Sequence, residues 1–204
     1  MAKLFKFRDL KTATEFAEFS KGYMDSFQGK RLDPIQAIKT ENLFSYKRII
    51  GVYEGTQLVA GYIINQYPHR CFEYFTAEEQ LNIIEALGGK QKVCEIVALW
   101  KSKSISRVMF NLKIGSHIIF DALKENRPII FGCSYAGHGM IKRYTLLSPK
   151  LVRKGIHDND LTVFYFRRRQ MIMTYLLTLT ITIAQAIYRK LFRVKKSAQV
   201  IIND

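Results

Sequence analysis

Glu95 is the residue whose setting most invites chemistry. It stands between Cys94 and Ile96 in the run KVCEIVALWK (92–101), which is apolar on either side of it. A carboxylate among apolar neighbours loses hydration, its pKa climbs, and it becomes able to take a proton near neutral pH. Alternate strand residues face opposite sides, so Glu95 facing solvent or paired with a lysine is the competing role. Cys133 and Ser134, with His138 close by, suggest a nucleophile. The glycines of Gly132-Cys133-Ser134-Tyr135-Ala136-Gly137, however, are one residue too far apart for a G-x-S-x-G elbow. Free cysteine is among the most buried residue types, and a small core hydrophobe is the other role open to Cys133. His69, His117, His138 and His157 are scattered without ligand spacing, so no metal site is assigned. Cys71, Cys94 and Cys133 form no CxxC pair, and their odd number fits a reducing compartment.

The elements that must position these residues alternate between strand and helix. A short strand at Lys3 to Phe7 precedes a helix capped at Thr12 or Thr14, with Phe16, Phe19, Tyr23 and Phe27 at helical spacing. Residues 30–45 read as a loop or an irregular helix. RIIGVY (48–53) and QLVAGYIINQ (57–66), joined by Glu54-Gly55-Thr56, have the signature of a β-hairpin. Residues 67–75 carry no clear signal. Thr76-x-x-Glu79 is a capping box for a short helix that stops at Gly88-Gly89. A strand at 92–101, a helix at 105–123 and a strand at 128–134 form a crossover, which predicts two parallel neighbours. A helix at 137–147, a strand at 151–155, a turn at 158–160 and a strand at 161–167 complete the order.

The chain has 204 residues, 48% of them hydrophobic and 13% aromatic, which excludes a disordered protein and fits one packed domain. Its net charge of +15 points to an anionic partner. Residues 1–149 carry 21 basic and 14 acidic side chains, a net +7; residues 150–196 carry 11 basic and two acidic, a net +9. Inside the second stretch lies MIMTYLLTLTITIAQAI (171–187), 17 residues without a charge. Arg167, Arg168 and Arg169 precede it, and Arg189, Lys190, Arg193, Lys195 and Lys196 follow it. Seventeen residues is the short end of a membrane span, and four Thr with Gln185 lower its hydropathy. A span, a helix lying in the membrane interface, and a helix buried in the globular domain or a dimer all fit. The division expected is a domain over 1–167 and a membrane-associating tail over 168–204.

Written out, the order of elements over roughly 3–167 resembles the GCN5-related N-acetyltransferase (GNAT) fold. The branch it looks most like includes acyl-homoserine-lactone synthases and long-chain N-acyltransferases. The likeness is carried by Cys94-Glu95-Ile96-Val97-Ala98-Leu99-Trp100, the long helix ending in Ala122-Leu123-Lys124, the strand Ile129-Ile130-Phe131-Gly132-Cys133-Ser134, and the following Met140-Ile141-Lys142-Arg143-Tyr144. The fold implied is α/β: a mixed central sheet flanked by helices, to which this chain adds a C-terminal apolar helix.

The resemblance implies an N-acyltransferase that takes an acyl thioester as donor. It implies Glu95 as the strand glutamate, Cys133 and Ser134 at the end of the fifth strand where the thioester meets backbone amides, and Tyr144 as general acid to the leaving thiol. A packed aromatic is the other role for Tyr144. The family's phosphate loop, Q/R-x-x-G-x-G/A, is matched by Lys101-Ser102-Lys103-Ser104-Ile105-Ser106-Arg107, which has no glycine. The Ser-Arg that follows the strand glutamate in homoserine-lactone synthases is Val97-Ala98 here. A loop without glycine suits the single phosphate of a phosphopantetheine arm, with Ser102 and Ser104 near it. Lys101, Lys103 and Arg107 would face an acidic carrier protein. Acyl carrier protein and coenzyme A are therefore both expected as donor carriers, with Ser104 as a plain helix cap the structural alternative. A fatty donor would account for the tail and place the chain at the cytoplasmic face of a membrane. The rival reading is a noncatalytic basic adaptor that binds anionic lipid or, less favoured, nucleic acid.

Overall fold

The computed structural model describes residues 4–26, 45–135, 150–156 and 161–201. Seven strands form one sheet in the order β1-β2-β3-β4-β5-β7-β6. They are β1 (Phe5–Asp9), β2 (Arg48–Glu54), β3 (Gln57–Asn65), β4 (Val93–Lys101), β5 (Ile129–Tyr135), β6 (Lys150–Ile156) and β7 (Leu161–Arg167). Only β4 and β5 run parallel, as the crossover requires; every other neighbouring pair is antiparallel. This is the mixed α/β sheet that the order of elements predicts. The expected helix at 137–147, the turn at 158–160, Phe27 and nearly all of the 30–45 stretch lie outside the described residues.

Helix α1 (Ala13–Asp25) begins where Thr12 caps it: Thr12 Oγ1 accepts from the Glu15 amide, and the Glu15 carboxylate accepts from the Thr12 amide in return. Its apolar stripe, Phe16, Phe19 and Tyr23, lies on one face of the sheet. Two glycines let it approach closely. A Cβ on Gly61 of β3 would stand 2.4 Å from Phe19 Cε2, and one on Gly22 would stand 2.2 Å from Trp100 Cη2. The same face carries α2 (Ala77–Ala86), capped by Thr76 and Glu79 as the sequence predicts. It also carries a 3-10 turn, Arg70–Phe72, in the segment that gave no sequence signal.

The opposite face is covered by α3 (107–124), which follows β4, and by α4 (Arg168–Ile201), which continues from β7. Ile114, Ile118 and Ala122 bury α3 against the sheet. Its middle, Phe110–Gly115, takes a π turn, an irregularity that changes which side chains face the neighbouring helix. The cap of α3 is Ser106, whose Oγ accepts from the Met109 amide, so the alternative that made Ser104 the cap is corrected. Ile105 is buried just before the helix and Ser104 is exposed in the preceding loop, which leaves the capping position to Ser106.

Candidate active site

The parallel strands β4 and β5 pair only over Val93–Glu95 and Ile129–Phe131. Both continue beyond that rung, β4 to Lys101 and β5 to Tyr135, but no longer to each other. A V-shaped gap therefore opens at the Glu95–Phe131 pair. Just above it β4 carries an extra residue: Gly61 and Ile63 of β3 face Trp100 and Val97, so one residue of β3 is matched by two of β4. Ala98 absorbs this bulge with φ 51°, a left-handed conformation that costs an L-residue about 1 kcal/mol. The bulge turns part of the β4 backbone out of the ladder beside the gap.

Glu95 lies on the face of α1 and α2 and is fully buried. It does not face solvent, and among the described residues it has no lysine partner. Its Oε1 accepts from Asn65 Nδ2 at 2.9 Å and from the Arg70 amide at 2.6 Å, and its Oε2 accepts from the Cys71 amide at 3.0 Å. Asn65 is its cross-strand neighbour on β3 and also donates to the Pro68 carbonyl at 2.9 Å, which secures the chain leading into the 3-10 turn. Burial pushes the Glu95 carboxyl above the usual carboxylate range, although the Cys71 amide, the Asn65 amide and the Arg70 amide all favour the charged form. The result is a carboxylate with raised proton affinity, fixed at the foot of the gap.

Around it stand groups that sequence reasoning passed over. The Cys71 thiol hydrogen-bonds with Cys133 and also with Glu95, and the Cys133 contact together with burial raises its pKa. Cys133 is half-buried on β5, two residues past the last rung and on the same face, packed against the aromatic core. Thiol contacts thus link Glu95 to the widening gap. The half-buried Arg70 hydrogen-bonds Tyr46 and lies within the electrostatic reach of Tyr23 and Glu73. Burial raises the pKa of both phenols, so they stay neutral donors. Asn65, Arg70 and Cys71 could have been found only through the strand register and the turn, neither of which local periodicity encodes.

The loop after β4 divides the predicted rim. Lys101 turns back and donates through Nζ to the Ile105 carbonyl at 2.8 Å, tying the loop rather than facing outward. Ser102 and Ser104 hydrogen-bond each other through their hydroxyls at 2.6 Å, while Lys103 and Arg107 are exposed. The outward positive charge of this loop is thus carried by Lys103 and Arg107. Ser134 belongs to β5, opposite Thr162, and Tyr144 and His138 lie outside the described residues. His157 does too. Among the described residues no three His, Cys, Asp or Glu are grouped to hold a metal.

Two further histidines have defined settings. His117 stacks on Phe7 and meets the Tyr62 hydroxyl at 2.8 Å, and that hydroxyl donates to buried Asp121 at 2.8 Å. With Arg48 3.5 Å from Asp121, this network fastens α3 to the sheet. His69, only 3% exposed, precedes the 3-10 turn, stacks on Phe131 and meets the edge of Phe72.

No family model and no curated protein matches the chain in sequence. Solved structures do match in shape. FeeM, an N-acyl amino acid synthase from uncultured soil microbes, superposes with a TM-score of 0.63 at 15% identity over 86% of this chain and 97% of its own. The AHL synthase LasI gives 0.54 at 10% identity over 82% and 91%. The putative acetyltransferase yncA from Salmonella typhimurium, solved with its cofactor acetyl-CoA, gives 0.54 at 11% identity over 81% and 94%. With the split β4–β5 pair at its centre, the chain has the GNAT-like fold, in the neighbourhood of AHL synthase-like proteins.

Proposed function

We propose that this chain is a membrane-associated N-acyltransferase that moves an acyl group from an acyl-carrier-protein or acyl-coenzyme A thioester to an amine. The observation that carries the reading is the parting of β4 and β5 at Glu95 and Phe131, next to the Ala98 bulge. Two strands that leave each other inside a sheet present backbone donors and acceptors with no ladder partner. An extended pantetheine arm can occupy such a slot much as an added strand would. The likeness to FeeM, an N-acyl amino acid synthase, and to the AHL synthase LasI supports the same reading.

In the reaction the amine nitrogen attacks the thioester carbonyl carbon, the C–S bond breaks, an amide forms, and the thiol leaves with a proton. Glu95, with its raised proton affinity, is the proposed acceptor of the amine proton. Tyr144 is the proposed donor to the departing sulfur. Lys103 and Arg107, with the Ser102 and Ser104 hydroxyls, are proposed to meet the phosphate and the acidic carrier, and Cys133 and Ser134 to line the thioester. The missing glycine between Lys101 and Arg107 favours the carrier protein over coenzyme A. The apolar tail and its basic flanks support work at the cytoplasmic face of a membrane, whose anionic lipids attract basic segments.

A second role for Glu95 is favoured by its three hydrogen bonds: it anchors the 3-10 turn to β4. The test of the activity is thiol release from acyl-carrier protein and acyl-coenzyme A in the presence of a panel of primary amines, with amide product followed by mass. Thiol release that depends on amine is expected. No release with any pair, together with salt-dependent retention on lipid or nucleic acid, would identify the noncatalytic basic adaptor instead.

A further inference from the structure

Helix α4 is amphipathic in the reverse sense. Met171, Thr174 and Thr182 are buried against the domain. Thr182 Oγ1 accepts from Asn111 Nδ2 at 2.9 Å, and the Tyr175 hydroxyl hydrogen-bonds that of Ser116; both partners lie on α3. Two of the four threonines that make the run look too polar for a membrane, Thr174 and Thr182, are thus turned inward and Thr178 is half-buried, while Thr180 stands outward with its hydroxyl returned to the Leu176 carbonyl. Outward stand Met173, Leu176, Leu177, Ile183, Ile187 and Tyr188, with Met173 59% and Ile187 56% exposed. On the neighbouring α3, Phe120 is 60% exposed under the ammonium of Lys124. A soluble domain seldom leaves such a stripe to water.

We infer that α4 does not cross the membrane but lies in the plane of an anionic bilayer, with its Met171, Thr174 and Thr182 side on the domain and its outward, mainly apolar side in the lipid. This rests on the membrane reading above and not on the acyltransferase reading. The geometry excludes a plain span, because the helix is held to α3 at both Tyr175 and Thr182 along the length that would have to cross. Charge selects the occupant. Residues 150–196 carry a net +9, so a second copy would bring like charge against like, whereas anionic headgroups complement it. Not every basic residue of the first collar serves this purpose: Arg168 donates to Asn126 Oδ1 at 2.8 Å and to the Leu123 carbonyl at 3.1 Å, which docks the helix. Arg167 and Arg169 remain exposed.

The experiment uses the full chain and vesicles of phosphatidylcholine with about a third phosphatidylglycerol. Wild type is expected to float with the vesicles, less so at high salt. Replacing Met173, Leu176, Ile183 and Ile187 together by Gln should lower partitioning more than about tenfold and leave thermal melting and thiol release from a soluble donor unchanged. Thr182→Val, on the inward side, should still float. Leu176 and Ile187 are three turns apart on one side of the helix. Fluorophores placed there on separate single-label variants should therefore be quenched at equal shallow depth. A span would separate the two by roughly 16 Å, and that result would overturn the proposal. So would failure of the wild type to float, or a stable dimer in solution that the four-residue substitution dissolves.

Discussion

Lowering the pH should unfasten the candidate site through His69. Its imidazole is buried, and neither ring nitrogen has a hydrogen-bond partner among the described residues. Burial pulls its pKa from 6.5 down to about 4. Between these values the unfolded chain binds a proton that the folded chain refuses, so stability falls as pH falls through this window. Below about pH 4 the loss is complete, and above 6.5 it is absent. At 1.36 kcal/mol for each unit, the loss reaches about 2 kcal/mol at pH 5 and about 3 kcal/mol at pH 4. That is a large share of the roughly 5–15 kcal/mol that holds an ordinary domain. Glu95 titrates with the opposite sign: its raised pKa gives stability that is present at low pH and is lost as pH rises through its folded value. The single profile therefore mixes the two, and a variant separates them. His69→Phe keeps the ring against Phe72 and Phe131 and removes the proton site. Urea unfolding of both chains from pH 7.5 to pH 4 should give curves that agree in slope at neutral pH and diverge below 6.5, with the variant retaining about 2 kcal/mol more by pH 5. Parallel profiles over the whole range would refute the assignment of acid sensitivity to His69.

The remaining expectations concern packing, chemistry and the donor. Gly61→Ala should destabilise the domain by about 2 kcal/mol, read as a fall in melting temperature, because the new Cβ would lie 2.4 Å from Phe19 and 2.9 Å from the Ile50 carbonyl. Glu95→Gln should lower turnover by about 10²- to 10⁴-fold and also lower stability, since an amide NH₂ cannot accept from the Arg70 and Cys71 amides together; a stability change with turnover intact would leave Glu95 as an anchor alone. Lys103→Ala with Arg107→Ala should raise KM for acyl-carrier protein, most at low salt, and leave KM for a short acyl-pantetheine unchanged in steady-state assays. Lys101→Ala should act differently, lowering thermal stability by loosening the loop that its ammonium ties to the Ile105 carbonyl.

What could be read from the sequence follows the range of the forces concerned. Although the choice of Thr12 and its box with Glu15 came from the structure, the capping box at Thr76, a helix start at Thr12 or Thr14, the hairpin at Glu54-Gly55-Thr56 and the apolar strand at 128–134 are set by residues within a few positions of one another, and each was legible. The bulge at Ala98 was not, because it appears only when β4 is registered against β3 and nothing in Val97-Ala98-Leu99 marks a left-handed residue. The 3-10 turn at Arg70–Phe72 is also a long-range product: its amides are held by Glu95, some 25 positions away along the chain. Glu95 could be chosen from its apolar neighbours, but its partners could not.

The tail shows the same limit from the other side. Read by composition, the threonines of 171–187 dilute a membrane segment; read in place, Thr174 and Thr182 belong to its protein side, and Thr180 alone of the four is exposed on the outward side. Thr174, Thr178 and Thr180 return their hydroxyls to the carbonyls of Gln170, Thr174 and Leu176, which lowers their polarity wherever the helix lies. Average hydropathy cannot distinguish polarity spread around a helix from polarity gathered on one side. The distinction decides between a helix that crosses a bilayer and one that rests on it. It also arranges the molecule: α3 and α4 cover one face of the sheet, whereas Glu95, Cys71 and Cys133 occupy the other. A domain resting on lipid through α4 would therefore hold the Glu95 side of the sheet away from the surface. In that arrangement a bulky acidic carrier could approach without contending with the bilayer for the same face.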